Sequence, residues 1–220
     1  MTELEAIQAR HSVRSFLPDP LTDELKHQLT ECLFRCNLEG NLHMELVTDE
    51  PGAFSGPLAH YGKFSGVRNY LVIMGRQADD LQERAGYWGE KYVLTCQMLG
   101  LNTCWVGLTF SKRKLPVHPA KDEKLVCIIA LGYGATPGTG HRSKSMADVT
   151  NAAYAPEWFA RGVDAALLAP TAMNQQKFRL DLEGDKVRIT AMRGPFSQVD
   201  LGIVKYHFEI GSGRDRSCWV

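Results

Sequence analysis

At 220 residues the chain is long enough for one compact domain or two small, closely packed ones, and either buries enough surface to fold without disulfide staples. Lysine plus arginine and aspartate plus glutamate both number 25, so no global field favours nucleic acid or an anionic membrane, and any anion site must be local. The longest apolar runs, such as LVCIIALGYGA from Leu125, are too short to span a bilayer.

Glu3 to Arg10 reads as a short helix, with Leu4 and Ile7 three apart and acidic residues early. After the turn at Pro18 to Pro20, Thr22 is a candidate cap. The helix it would start carries Leu25, Leu29, Cys32, Leu33 and Cys36 at helical spacing, and Gly40 and Asn41 punctuate its end. Met44 to Thr48 is strand-like, Pro51 to Gly66 is a long loop, and NYLVIMG from Asn69 is a short buried strand. Tyr87 to Leu99 has Trp88, Tyr92, Cys96 and Leu99 on one stripe, with Gly100 as a left-handed stop.

Two strand-like runs, NTCWVGLTF and VCIIALGYG, flank a basic loop. The Gly/Pro/Thr-rich passage ATPGTG is the best internal boundary, giving halves of residues 1–145 and 146–220. In the second half Trp158 to Ala169 is helical, Phe178 to Leu182 and Val187 to Ala191 pair around the Gly184-Asp185 turn, and Val199 to Ile210 is helical. NLHMELVTDE from Asn41 falls over QKFRLDLEGD from Gln176, and WGEKYVLTCQMLG ending at Gly100 falls over VDLGIVKYHFEIG ending at Gly211. The order of elements agrees while identity is thin, so this is either an internal duplication or the helix-strand-strand-helix order that many α/β chains contain.

The six cysteines, at 32, 36, 96, 104, 127 and 218, form no CxxC pair, and no histidine spacing suits a structural zinc, so no metal is expected. Scattered cysteines and a charged rather than apolar start to the chain fit a reducing cytoplasm with no signal peptide. Four constellations offer chemistry. In ARHSVRSF, Arg10, Ser12 and Arg14 alternate, so an extended backbone sends two guanidinium forks and a hydroxyl to one face, as a phosphate site requires; the alternative is a solvated basic turn. GTGHRSKS repeats the idea with Arg142 and Lys144, or is a solvated linker. In GLNTCWVGLTF, Trp105 and Gly107 suit a flat ligand, or the indole is core. In APTAMNQQ, a helix stops at Pro170 and three adjacent amides, Asn174, Gln175 and Gln176, need partners: a ring system with donors and acceptors, or water. No nucleophile elbow, Walker loop or dinucleotide fingerprint is present, and the seven histidines are dispersed, so a cofactor is expected to supply the chemistry.

These pieces together resemble the FMN-dependent nitroreductase family over nearly the whole chain, through ARHSVRSF, GLNTCWVG, LGYG followed by HRSKS, and APTAMNQQKF. The arrangement is most similar to the thermophile-type subgroup, in which one chain carries both halves of what is elsewhere a homodimer. The resemblance implies an α+β nitroreductase-like fold, internally duplicated, with antiparallel-rich mixed sheets flanked by helices, and a monomer that builds its own site. It implies that FMN is held by Arg10, His11, Ser12 and Arg14, by Trp105, Val106, Gly107 and Leu108, by Arg142 and Lys144, and by Pro170, Thr171, Ala172, Asn174 and Gln176 from the second half. NADH or NADPH would be the reductant and a nitroaromatic, quinone or similar small molecule the acceptor. The chemistry would lie at flavin N5, with no catalytic side chain identified. A flavin-binding or flavin-delivering protein without turnover is the alternative. RCNLEGN, from Arg35 to Asn41, is the first-half counterpart of APTAMNQQ but lacks its proline and amide pattern, so one site per chain is expected rather than two.

Overall fold

The computed structural model describes residues 1–152 and 154–220. Residues 1–145 contain α1 (Glu3–Ala9), α2 (Asp23–Gly40), β1 (His43–Val47), α3 (Pro57–Tyr61), β2 (Asn69–Arg76), α4 (Leu81–Met98), β3 (Asn102–Val106) and β4 (Glu123–Gly132). After them come α5 (Met146–Val149), α6 (Glu157–Ala166), β5 (Phe178–Glu183), β6 (Lys186–Ala191) and α7 (Ser197–Ser212). The α+β expectation holds: helices pack on antiparallel sheets, with no named strand pair parallel.

Local chemistry explains most boundaries. Thr22 caps α2 by accepting the Leu25 N–H, and Thr2 and Glu5 form a reciprocal capping box on α1. Two expectations shift. The Pro51 to Gly66 loop contains α3, with Pro57 at its first position where a missing N–H costs nothing. α4 begins six residues before the expected Tyr87, because its first turns, from Leu81 to Gly86, bury Leu81, Ala85 and Gly86 rather than a full apolar stripe.

The four-stranded sheet runs β1-β2-β4-β3, and the period of two divides its residues between faces. Tyr70, Val72, Met74, Ile128 and Ala130 face a core built with Phe16, Phe54, Phe64 and Phe110. Leu71, Ile73, Ile129 and Leu131 face Leu29, Trp88, Tyr92 and Cys96 of α2 and α4. The two-stranded sheet β5-β6 closes a separate core with α6 and α7 through Phe159, Phe178, Leu180, Val204 and Phe208. α4 and α7 join the two regions. A Cβ on Gly202 would lie 1.9 Å from the Glu83 carbonyl oxygen, and one on Gly86 2.0 Å from that of Val199, so only glycine permits this backbone-to-backbone approach. Among the described residues no helix is long and apolar enough to cross a membrane.

Candidate functional site

Beside the α4–α7 crossing lies a cavity of about 600 Å³ whose walls come from both ends of the chain. Arg10 to Arg14 form one wall because this segment runs beside β3: Ser12 pairs with Thr103 in parallel sense, and the Val13 N–H donates to the Thr103 carbonyl at 3.0 Å. Val13 is buried, Ser12 half-buried and Arg14 exposed, and all three border the cavity. Thr136 to His141 lie over this segment. Gly138 has φ +78, and a Cβ there would sit 2.7 Å from that of His11, so the glycine is needed twice over. The end of β3 (Trp105 to Gly107), the loop Pro170 to Asn174 and the start of α7 complete the walls.

Arg10 carries the strongest electrostatic signal. Its side chain is 4% exposed, and among the described residues it donates no hydrogen bond; its Nε is buried without a partner, and Glu90 approaches only to 3.9 Å. Burial pulls the guanidinium below its usual arginine range, opposed by the Glu90 charge. Glu90, itself fully buried, is occupied elsewhere. It accepts from Trp105 Nε1 at 2.9 Å and shares a 2.9 Å contact with His207 Nε2, whose Nδ1 faces the Ala165 carbonyl at 3.0 Å. The Glu90 contact therefore fixes the indole plane in the wall. Arg10 is left as a buried cation aimed at a cavity, an arrangement that an anionic ligand completes. Arg14, by contrast, is exposed, its guanidinium carbon 6.0 Å from the Phe64 ring centre.

The 170–176 loop is held by side chains rather than by regular structure. Met173, Asn174 and Gln176 have φ of 52, 52 and 44, a left-handed region that Asn tolerates and that costs residues such as Met and Gln about 1–2 kcal/mol each. Thr171 Oγ1 accepts the Gln176 N–H at 3.0 Å. The Gln176 amide is fully used: Nε2 donates to the Arg142 carbonyl (2.7 Å) and to Asn174 Oδ1 (2.8 Å), and Oε1 accepts the Lys144 N–H (2.8 Å). Lys144 Nζ returns a bond to the Gln176 carbonyl at 2.7 Å. Gln175 Nε2 donates to the Pro195 carbonyl (2.8 Å) and to Asp200 Oδ2 (2.7 Å), while Asp200 Oδ1 accepts the Ala172 N–H at 2.9 Å.

Ten of the expected residues share this cavity: Arg10, Ser12, Arg14, Trp105, Val106, Gly107, Pro170, Thr171, Ala172 and Asn174. Five do not line it. Leu108 is exposed because β3 ends at Val106, and His11 sits beneath Gly138. Gln176 turns away to bind the HRSKS segment, and Arg142 and Lys144 are adjacent to the wall through that binding rather than part of it. The amides find partners in nearby backbone and in the Asp200 carboxyl, except that Gln175 Oε1 is buried with none among the described residues. Sequence reasoning missed His141, Phe196 and Asp200. Phe196 adopts φ 56 and lays its ring where a Cβ on Gly107 would be, 2.3 Å from its Cζ. Asp200 is 4% exposed on the cavity wall, and burial pushes its carboxyl up to about 6 against the two hydrogen bonds it accepts. An acidic residue in the first turns of a helix is so ordinary that only its apolar flanks, Val199 and Leu201, hinted at burial.

A family model described as "Putative TM nitroreductase" matches residues 3–212. Among solved structures, a "putative nitroreductase" of Thermotoga maritima is 22% identical over 96% of this chain and 83% of its own, with a TM-score of 0.68. A "putative nitroreductase in complex with FMN" from Desulfovibrio desulfuricans is 18% identical over 71% of this chain and 99% of its own, at a TM-score of 0.55. A "Putative NADH dehydrogenase/NAD(P)H nitroreductase" of Bacteroides thetaiotaomicron is 19% identical over 67% of this chain and 95% of its own, at a TM-score of 0.51. These three likenesses establish the shared fold. No curated protein matches the chain.

Proposed function

The chain belongs to the nitroreductase family that this model describes, and from that premise we propose that it is an FMN-dependent oxidoreductase passing reducing equivalents from NADH or NADPH to small acceptors such as nitroaromatics and quinones. The observation that carries the reading is Arg10, a buried guanidinium whose Nε has no hydrogen-bond partner among the described residues, on the wall of a cavity large enough for a fused-ring cofactor. The FMN complex of the Desulfovibrio relative supports the choice of cofactor. In this reading Arg10, Ser12 and Arg14 hold the phosphate end, with Arg142 and Lys144 adding positive potential from behind the 170–176 loop. Trp105 to Gly107 and the Pro170 to Asn174 loop flank the ring system. When bound, the flavin supplies two-electron chemistry at its N5, and the protein's part is to orient, to exclude water and to hold charge.

We also read the chain as two unequal halves, residues 1–145 and 146–220, that build one site without a second copy. What supports this is that Arg10 and Trp105 come from the first and Pro170 and Asp200 from the second. The six cysteines are free, which supports a reducing compartment, the cytoplasm in this reading. Titration of flavin-free protein with FMN, followed by rapid mixing of the complex with NADH and then NADPH, tests the proposal. Bleaching of bound flavin by either nucleotide is the expected result. A flavin that binds and is bleached by neither would leave a carrier instead of a reductase.

A further inference from the structure

Glu90 stands 3.9 Å from Arg10 Nε, yet the two do not close into a hydrogen-bonded ion pair. We propose that His207 is a positioning residue that neutralises Glu90 from behind, so that the Arg10 charge stays available to an anionic group in the cavity; with FMN as that ligand, this rests on the proposed function. The three side chains come from separate parts of the chain: Arg10 follows α1, Glu90 lies on α4 and His207 on α7. Glu90 and His207 are both fully buried, and a buried carboxylate needs a partner for its charge. Which cation Glu90 takes therefore decides whether Arg10 has anything left to offer a ligand.

The hydrogen count of the Glu90–His207 pair follows from what each ring nitrogen faces. Nδ1 lies 3.0 Å from the Ala165 carbonyl and Nε2 lies 2.9 Å from Glu90 Oε1. A carbonyl oxygen and an ionised carboxylate only accept, so a neutral imidazole, with its single N–H, would turn one of these contacts into two facing lone pairs in a fully buried place. Both contacts are satisfied only when Nδ1 carries a hydrogen and a second hydrogen lies between Nε2 and Oε1. With that hydrogen on nitrogen the pair is imidazolium and carboxylate; with it on oxygen the pair is imidazole and carboxylic acid. Its net charge is zero either way. The other oxygen, Oε2, accepts from Trp105 Nε1 at 2.9 Å, so Glu90 is satisfied without the guanidinium and the 3.9 Å gap stays open. Arg10, Glu90 and His207 together then carry one positive charge, and it sits on the group that borders the cavity. Without the imidazole, a buried carboxylate would be left in need of a cation, with Arg10 beside it.

NMR of the flavin-free natural chain near neutral pH tests the pair with no cofactor and no substitution, since nitrogen shifts report which ring nitrogens carry hydrogen and the carboxyl carbon shift reports the state of Glu90. His207 should carry hydrogen on both nitrogens, or on Nδ1 alone beside a protonated Glu90. A ring with one hydrogen beside an ionised Glu90 overturns the proposal. His207→Gln and the double change His207→Gln/Glu90→Gln test the consequence. In the first, the freed carboxylate should capture Arg10 and raise the FMN Kd about tenfold or more by fluorescence titration. In the second, no carboxylate remains to capture it, and Kd should return to within about threefold of the natural chain. A purely structural role for His207 would not be rescued by a second buried substitution, so an unrestored double change overturns the proposal, as does an unchanged Kd in His207→Gln. Should the substituted chains fail to fold, the spectrum alone decides. The same chains are titrated with inorganic phosphate: phosphate binding in this pattern without FMN binding sinks the flavin reading alone, FMN binding unmoved by His207→Gln sinks the role of His207 alone, and a natural chain that binds neither sinks both.

Discussion

The connection that ends α2 and the one that ends α6 both carry a helix into a strand, and they differ in what fills the space beside them. At Arg35 to Asn41 the helix runs on to Gly40, Asn41 turns left-handed at φ 47, and Arg84 Nη1 closes the end by donating to the carbonyls of Gly40 and Asn41 at 2.8 and 2.7 Å. The Trp88 indole fills the corner so tightly that a Cβ on Gly40 would stand 2.4 Å from it. At Pro170 to Gln176 the neighbouring residue of α7 is the smaller Val199, and the loop borders a cavity. In the first connection a large side chain fills the corner beside a closed cap. In the second the backbone is irregular and lies beside an open space.

Hollowing the filled corner is the most severe way to break this contrast. Trp88→Ala is expected to lower stability by about 3–5 kcal/mol in urea unfolding, since it leaves a cavity lined by α2 and α4. FMN affinity should stay within about twofold of the natural chain, because the flavin site is elsewhere. A large loss of affinity would mean that the two corners are coupled and the contrast is false.

The open corner should show itself next in the pH dependence of stability. Asp200 is raised in the folded chain to about 6, so its contribution is fully present below pH 3.9 and is lost as pH rises through 6. The loss amounts to about 3 kcal/mol. Urea titrations at pH 4.5 and 7.5 should therefore diverge between the natural chain and Asp200→Asn, with only the former weakened by Asp200 ionisation at the higher pH. Parallel behaviour of the two would remove burial of a charge from the account of this wall.

Arg10→Met separates binding from folding in the same corner. Charge-assisted hydrogen bonds to a phosphate are worth about 1.5–3 kcal/mol, a roughly 10- to 150-fold rise in the FMN Kd by fluorescence titration. Stability of the flavin-free protein changes by the balance of two effects, relief of a desolvated guanidinium whose Nε has no partner and loss of the charge 3.9 Å from buried Glu90, so the loss of FMN affinity should exceed any loss of stability. Arg84→Met at the filled corner should do the reverse, weakening the fold through two lost carbonyl contacts while leaving FMN affinity alone.

Why some of this was legible in the sequence and some was not follows from the range of the forces involved. ARHSVRSF pointed to Arg10, Ser12 and Arg14, which all border the cavity, and the proline at 170 marked where α6 gives way to the loop, because both are local properties of the chain. The fate of the amides depended on distant partners. Nothing near Gln176 shows that its side chain closes on Arg142 and Lys144, more than thirty positions back, so facing a ligand and facing the backbone were equally consistent with the residues. Asp200 was invisible for the same reason, since its depth is set by the crossing of α7 with α4 and by the loop folded over it.

The smallest expected effects test whether backbone irregularity belongs to the open corner or to helix ends in general. Asn41→Gly and Met173→Gly both place glycine at a left-handed position, φ 47 and 52. The change relieves a cost of about 1–2 kcal/mol at Met173 and less at Asn41, whose short polar side chain tolerates this region, and each loses part of it to the greater freedom of the unfolded chain. A net gain of up to about 1 kcal/mol is expected at Asn41, where the cap is already fixed by Arg84. Met173 is largely exposed and lines the cavity, so the same stability gain should come with weaker FMN binding, because a glycine there widens the choices of a loop that must hold one shape. Equal gains in stability with a loss of affinity at 173 alone would show that the strain is shared by both connections and that only one of them uses it.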